Sequence, residues 1–321
     1  MNVLLVHADS EPRSFVSALK DAFAARAAAC GHQVMTSDLY AMGFNPVSGR
    51  HNFSTVASAA LYRQHDEELF ATKHAGFVPE LALEMEKVER ADVLVFSFPM
   101  WWFGLPAILK GWVDRVIAAG RMYGGPLLYE NGIGRGKRAL ILATTGGPAA
   151  AYSKWGVNPP LSVILQPIHH GIFWFLGYDP LPPFVVHAPR LMTDQQRQQA
   201  LRDIEVRAER IEADAPLRFQ RLADFPSSGE HDRLGRYMVT VRRKREPDAA
   251  YAALVPQELA RIEELQQQSR LQFFSVAAAN DPHWVGWLFF RAATSADVQL
   301  ALESLPLHPY LDFTIQEAAR V

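Results

Sequence analysis

The sequence predicts a doubly wound parallel α/β sheet followed by a small α+β domain. Three observations predict it. Short, wholly apolar runs alternate with amphipathic stretches over residues 1–220; a polar, turn-rich break follows near residue 224; and beyond it the patterns run β-α-β-β-α-β.

The first strand is Val3-Leu4-Leu5-Val6. Val34–Met35 with their neighbours, Val93-Leu94-Val95-Phe96, Ala139-Leu140-Ile141-Leu142 and Phe184-Val185-Val186 repeat its character. Runs this short, apolar at every position, suit strands buried on both faces. Helical patterns lie between them. Phe15, Ala18, Leu19, Ala22 and Phe23 recur with helical spacing, and Gly31 stands where that helix should stop. Pro106 suits a first helical residue before Ile108, Leu109, Trp112, Val113, Val116 and Ile117. Thr193 is placed to cap a helix carrying Leu201, Ile204, Ala208 and Ile211. Repeated βα units imply helices on both faces of a parallel sheet.

Asp224-Phe225-Pro226-Ser227-Ser228-Gly229 opens a linker, assigned to 223–235 between a first domain, 1–222, and a second, 236–321. The second domain reads as a strand from Tyr237, a helix around Leu259, Ile262 and Leu265, then strands Phe273–Val276 and Trp284–Phe290. Ser295 is expected to cap the next helix, with Val298, Ala301, Leu302 and Leu305, before a last strand of alternating Leu311, Phe313 and Ile315. That order is the ferredoxin-like plait. Apolar groups fall on both faces of Trp284–Phe290, so the face without helices should not stay wet.

Composition narrows the function. The net charge is -2 and half the residues are apolar, at 49%. Nothing there suggests a nucleic-acid partner, and Arg242-Arg243-Lys244-Arg245 reads as a solvated loop. No apolar run approaches the length of a membrane span, and no basic leader precedes Val3. The single cysteine, Cys30, excludes an internal disulfide and suits a reducing cytoplasm.

In open parallel sheets, ligands sit beyond the carboxyl ends of the strands. Three loops leave such ends. His7-Ala8-Asp9-Ser10-Glu11-Pro12-Arg13-Ser14-Phe15 leads into a helix start, whose free N–H groups suit a phosphate or pyrophosphate; it contains no GxGxxG. Pro99-Met100-Trp101-Trp102-Phe103-Gly104 sets two tryptophans side by side, which one core direction cannot bury, so a flat aromatic ligand is a plausible neighbour. Thr144-Thr145-Gly146-Gly147 allows backbone amides to approach a ligand closely, with Tyr152 following.

The run Phe98-Pro99-Met100-Trp101-Trp102-Phe103-Gly104-Leu105-Pro106-Ala107-Ile108-Leu109-Lys110-Gly111-Trp112 resembles the signature of DT-diaphorase-like NAD(P)H:quinone oxidoreductases. So do Ser37–Pro46 and Thr144–Gly147. The resemblance covers about residues 1–220. It implies a flavodoxin-like fold, bound FAD rather than FMN, NAD(P)H as co-substrate, and a homodimer with interfacial active sites. It further implies ping-pong hydride transfer through FAD to a quinone, or to a nitro or azo aromatic. Carried over, His7, Ser14 and Phe15 match the diphosphate loop. Pro99, Met100, Trp101, Trp102, Phe103, Thr144, Thr145, Gly146 and Gly147 match the flavin lining, and Asp114 falls near the adenosine end. Tyr123 and Phe175 match the nicotinamide and quinone pocket. Tyr152 matches the tyrosine beside the flavin. The histidine that the family places six residues later is Asn158 here, and asparagine cannot take up a proton near neutral pH. Either Asn158 only orients charge or another group carries the proton. His170 matches a metal-binding position of one branch, but the partner position is Trp174, so no metal is expected.

Leu305-Pro306-Leu307-His308-Pro309-Tyr310-Leu311-Asp312-Phe313 resembles the tail of muconolactone isomerases, which are dimeric α/β-barrel proteins. This second resemblance covers about 236–318 and carries over no catalytic residue. It leaves two alternatives beside the quinone reductase. One is a bifunctional protein whose second domain isomerises a ring-cleavage lactone; the other is a flavin-binding regulatory protein. A homodimer is the expected minimal assembly, with a tetramer as the alternative.

Overall fold

The computed structural model describes residues 1–222, 234–268, 270–278, 281 and 283–318. The chain divides into two compact units, Met1–Arg218 and Phe219–Val321. Most of the expected 223–235 linker lies outside the described residues, and its last residue, Gly235, already belongs to a strand.

In the first unit the strands are β1 (Asn2–His7), β2 (Gln33–Asp38), β3 (Val93–Pro99), β4 (Arg138–Thr145), β5 (Asp179–Pro180) and β6 (Phe184–His187). They form a six-stranded sheet in the order β2-β1-β3-β4-β5, with β6 also on β4 and every pair parallel. β5 and β6 meet the two ends of β4 and are separated by residues that include Pro182 and Pro183. Proline has no N–H to give to a ladder, so the edge breaks there.

Strand residues alternate between two cores. Val3, Leu5, Val93, Val95, Leu140 and Leu142 pack against α1 (Phe15–Ala29) and α6 (Asp194–Glu209). Leu4, Val6, Leu94, Phe96 and Ile141 pack on the other face with residues of α2 (Gln64–His74), α3 (Pro79–Arg90), α4 (Ala107–Val116) and α5 (Leu161–Ile168). That two-sided burial explains why the strands are apolar throughout. Ser14 caps α1, and Gly31, with φ +88°, follows its end in a left-handed turn. Thr193 forms a capping box with Gln196. Pro106 is the N-cap of α4 rather than its first helical residue. α5 contains Pro167 and runs on into a π-helical segment, His169–Trp174. A proline inside a helix removes a backbone donor, and wider i−5 bonds such as Phe175 N–H to His170 O (3.0 Å) follow it.

The second unit contains β7 (Gly235–Arg243), α7 (Ala249–Gln267), β8 (Leu271–Val276), β9 (Val285–Ala292), α8 (Ser295–Glu303) and β10 (Leu311–Ala318). The strands form an antiparallel sheet in the order β10-β7-β9-β8. Tyr237, Val239, Val241, Leu288 and Phe290 share one core with Ile262 and Leu265 of α7 and Val298 and Leu302 of α8. The other face leaves Phe273, Trp287 and Phe289 exposed. The cap of α8 is Thr294, one residue before the expected Ser295, in a box with Asp297. Among the described residues no helix is long and apolar enough to cross a membrane.

Candidate functional site

The carboxyl ends of β1, β3, β4 and β6 carry His7, Pro99, Thr145 and His187. Each of the three loops singled out by sequence leaves one of these ends. The strand order places β1 next to β3 and β3 next to β4, with chain crossings on either side of β1 and β3, which is where such sheets bind ligands.

His7 is buried, and both ring nitrogens are engaged: Nδ1 with Ser97 Oγ at 3.0 Å and Nε2 with Ser17 Oγ at 3.1 Å. Ser17 Oγ donates its hydrogen to Glu11 O, 3.1 Å away. It therefore accepts from His7, which fixes the Nε2–H tautomer and makes Ser97 the donor to Nδ1. Burial, then nearby Lys20, pushes the His7 pKa down and keeps the ring neutral. Its part in the loop is thus indirect, through Ser17 to Ser14, whose hydroxyl lies 2.9 Å from Ser17 Oγ and also caps the Ser17 N–H. The Phe15 and Val16 N–H groups of the first turn have no acceptor among the described residues.

After Pro99, Met100 N–H bonds to Thr144 O at 2.8 Å. Trp101 and Gly104 then exchange both backbone hydrogen bonds (3.3 and 3.0 Å), closing a tight hairpin whose two central residues are Trp102 and Phe103. Both have positive φ, 50° and 58°. A turn with two left-handed central residues normally selects asparagine and glycine, so two aromatics there hold strain. Trp102 is 98% exposed, and Trp101 and Phe103 are exposed as well. Neither of the adjacent tryptophans is buried, as their placement side by side predicts.

Thr144 and Thr145 are buried at the end of β4. Gly146 and Gly147 follow with N–H groups that make no hydrogen bond among the described residues, and the space in front of Gly146 is open. A Cβ on Gly147 would come within 3.3 Å of the Tyr152 ring and hydroxyl, so Gly147 lets Tyr152 lie against the backbone. Asn158 N–H bonds to Ala151 O at 2.9 Å and closes the loop that contains Tyr152. Tyr152 stacks on His187, with ring centroids 5.6 Å apart and planes at 28°. His187 in turn holds Thr145 Oγ1 at 2.9 Å through Nδ1.

Tyr123 and Phe175 sit elsewhere in the unit. Their rings are 5.7 Å apart, and with Asp114, Gln64 and Glu68 they line a cavity of about 200 Å³. None of the β1, β3 or β4 loop residues lines it. Asp114, expected near an adenosine, therefore shares this cavity with the expected substrate residues. It is exposed, paired with Lys110 at 2.5 Å. Glu68 is buried there and accepts from Ala119 N–H and Gln64 Nε2, both at 2.8 Å. Burial raises its pKa and that of the Tyr123 phenol.

His169 is buried, its pKa lowered by burial to about 4, while His170 packs 4.9 Å from the Trp174 ring. Among the described residues no three His, Cys, Asp or Glu side chains come together as a metal site. In the second unit His308 stacks on Phe313 at 5.4 Å, Arg245 lies over the Tyr310 ring at 3.9 Å, and Asp312 pairs with Lys244 at 3.6 Å. Sequence reasoning did not single out His187, Ser17, Ser97 or Glu68. His187 had a signal, a polar residue directly after the apolar run Phe184–Val186, but its neighbours come from register with β4.

Residues 1–208 match the family model Flavodoxin_2, described as a flavodoxin-like fold. The chain is 37% identical over 196 residues to a ribosyldihydronicotinamide dehydrogenase [quinone] of Pongo abelii, covering 61% of this chain and 85% of that protein. It is 37% identical over 217 residues to NAD(P)H dehydrogenase [quinone] 1 of Rattus norvegicus, covering 67% of this chain and 79% of that one. Among solved structures, a putative quinone reductase from Klebsiella pneumoniae superimposes with a TM-score of 0.69 at 33% identity, over 71% of this chain and 92% of the other.

Proposed function

The chain belongs to the flavodoxin-like family matched over residues 1–208, and from that membership we propose that it catalyses the two-electron reduction of quinones by NAD(P)H with FAD as cofactor. One observation carries the reading: unsatisfied backbone amides and exposed aromatic side chains cluster at the carboxyl ends of β1, β3 and β4. The donor set fits a flavin dinucleotide. Phe15 and Val16 N–H suit the diphosphate, and Ser14 Oγ, which gives its hydrogen to Ser17 Oγ and accepts from Ser17 N–H, holds the helix start that presents them. Pro99, Met100, Trp101, Trp102, Phe103 and the Thr144–Gly147 segment suit a flat ring, with open space in front of Gly146 for close approach. A bound flavin supplies the redox chemistry.

The residues around it have three tasks. The amides of Gly146 and Gly147 and the Tyr152 hydroxyl, which has no protein partner among the described residues, can donate to developing negative charge. The aromatic hairpin excludes water and orients the reactants. One proton must also be delivered, because NAD(P)H, a quinone and one solvent proton yield NAD(P)+ and a hydroquinone. Asn158 can orient that proton's path without carrying it.

The minimal assembly is a homodimer, with a tetramer as the alternative. Two observations favour assembly. The Tyr123–Phe175–Asp114 cavity shares no lining residue with the strand-end loops, so a two-fold partner could bring the two together. In the second unit Phe273, Trp287 and Phe289 lie on an uncovered sheet face. The second unit we read as a ferredoxin-like plait of the muconolactone isomerase type; the strand order β10-β7-β9-β8, with two helices on one face, supports that. Because His308, Tyr310 and Asp312 are engaged by Phe313, Arg245 and Lys244, an assembly role suits them better than a separate active site. The reading places the protein in the cytoplasm, where NAD(P)H is abundant. Its test is the flavin released from purified protein and NAD(P)H oxidation with and without a quinone. FAD and quinone-dependent turnover are expected; FMN alone overturns the cofactor assignment, and absence of both flavin and turnover overturns the function.

A further inference from the structure

His187 ends β6 in register with Thr145, the last residue of β4, so both side chains are fixed by neighbouring strands. The next residue, Ala188, turns away with φ +46° and ψ +53°, and its N–H bonds to Thr145 O at 2.8 Å. A left-handed alanine before a proline is unfavourable backbone, held here by that bond. The chain thus leaves the sheet directly after the imidazole and keeps it at the strand end.

Three contacts define the ring. Thr145 Oγ1 donates its only hydrogen to Gly147 O at 2.9 Å, because a carbonyl can only accept. The His187 Nδ1 atom, 2.9 Å from the same hydroxyl, must therefore be the N–H donor. Neutral imidazole has one N–H, so Nε2, on the far side of the ring, bears a lone pair. No protein group bonds to Nε2 among the described residues. The Tyr152 ring stacks on this imidazole at 5.6 Å, and its hydroxyl lies against Gly147.

Resting on the quinone reductase reading, we infer that His187 carries the proton that Asn158 cannot, with Thr145 as the positioning residue that fixes its tautomer. Nε2 takes one proton from solvent, becomes imidazolium, and returns it toward the oxygen being reduced, while the Tyr152 ring stacked on its face holds the imidazole in place. Each turnover moves one proton by this path while the hydride supplies two electrons and the other hydrogen, so the ring ends neutral. Burial lowers the His187 pKa, which suits a group that gives its proton back. The facing groups are the Thr145 hydroxyl from β4 and the Tyr152 phenol from the following loop; no charged side chain contacts the ring among the described residues.

The test has two arms on the full-length protein. Histidine 15N NMR of flavin-free protein should show His187 as the Nδ1–H tautomer, and T145V should turn it into a mixture. In the flavin-loaded enzyme, H187N should keep its flavin and its KM for NAD(P)H. Its kcat with quinone should fall about a hundredfold or more, the range of general acid–base contributions, and the pH dependence and solvent isotope effect should change. T145V should lose less. An Nε2–H tautomer in the wild type, or an active wild type with H187N unchanged in rate, pH profile and isotope effect, overturns the inference alone. A wild type that binds flavin but reduces no quinone overturns the functional reading and the relay with it.

Discussion

The hairpin at the end of β3 offers a direct trade of stability against binding. Trp102 and Phe103 hold φ of 50° and 58° between Trp101 and Gly104. A left-handed residue with a side chain costs roughly 1–2 kcal/mol, and asparagine and glycine avoid most of that cost. The variant W102N/F103G keeps both Trp101–Gly104 bonds and loses little packing, since both side chains are exposed. After roughly 0.4–1 kcal/mol for the added freedom of glycine in the unfolded chain, the net gain is about 1–3 kcal/mol. For a unit of this size that is roughly 2–12 °C in Tm. Calorimetry of flavin-free protein reads it directly. The same variant should bind flavin about five- to 150-fold more weakly, because two aromatic contacts at about 0.5–1.5 kcal/mol each are gone. Fluorescence titration measures that loss. A Tm that stays level or falls in flavin-free protein refutes the strain argument; unchanged flavin affinity refutes the placement of the ring against this turn.

Three further outcomes are expected. Tyr152→Phe should leave flavin bound but slow its reduction by NAD(P)H about ten- to hundredfold, the value of roughly 1.5–3 kcal/mol for a hydrogen bond to a charged group; an unchanged stopped-flow trace removes the hydroxyl from the reaction. Burial pushes the His169 pKa from 6.5 to about 4, so its neutral ring contributes fully above pH 6.5 and that contribution is lost as pH falls toward 4, about 3 kcal/mol in all. His169→Leu should flatten urea-measured stability over that window, and equal slopes in both proteins refute it. Light scattering should give a dimer or tetramer at micromolar concentration; a fully active monomer contradicts the interfacial site.

Much of the parallel sheet was legible because strands buried on both faces must be apolar at nearly every position, as Val93–Phe96 and Ala139–Leu142 are. α2 was not, for a physical reason. Its buried residues are Glu67, Glu68 and Ala71, so no apolar stripe marks it. Glu67 is satisfied by the Ala57 and Ser58 N–H groups and Arg50, partners that only the tertiary fold supplies. α5 was hidden by Pro167 and by the π-helical continuation, which shifts the period away from 3.6. At the site, the loops could be read because strand ends are predictable. The grouping of Thr145, Tyr152 and His187 could not, because it depends on register between β4 and β6 and on a ring stack across distant sequence.

The distribution of left-handed residues argues for where function lies. Ala75, Trp102, Phe103, Tyr129 and Ala188 are the non-glycine residues with positive φ among those described. Ala75 follows α2 as its C-cap, an ordinary way to end a helix. The other four have no such excuse. Trp102 and Phe103 close the turn after β3, and Ala188 ends β6 immediately after His187. Tyr129 packs on Phe175, in the wall of the Asp114–Tyr123 cavity. Strain persists only where surrounding structure enforces it, and random strain would fall anywhere in the chain. Here it marks the two strand ends proposed to hold and protonate the reacting groups, and the one cavity that a second subunit would have to bring to them. None of these residues lies among the described residues of the second unit, where β7 and β9 pair without interruption and β8 shifts register on β9 between Leu271 and Phe273. Backbone strain therefore gives no ground there for a site of the kind proposed at the strand ends of the first.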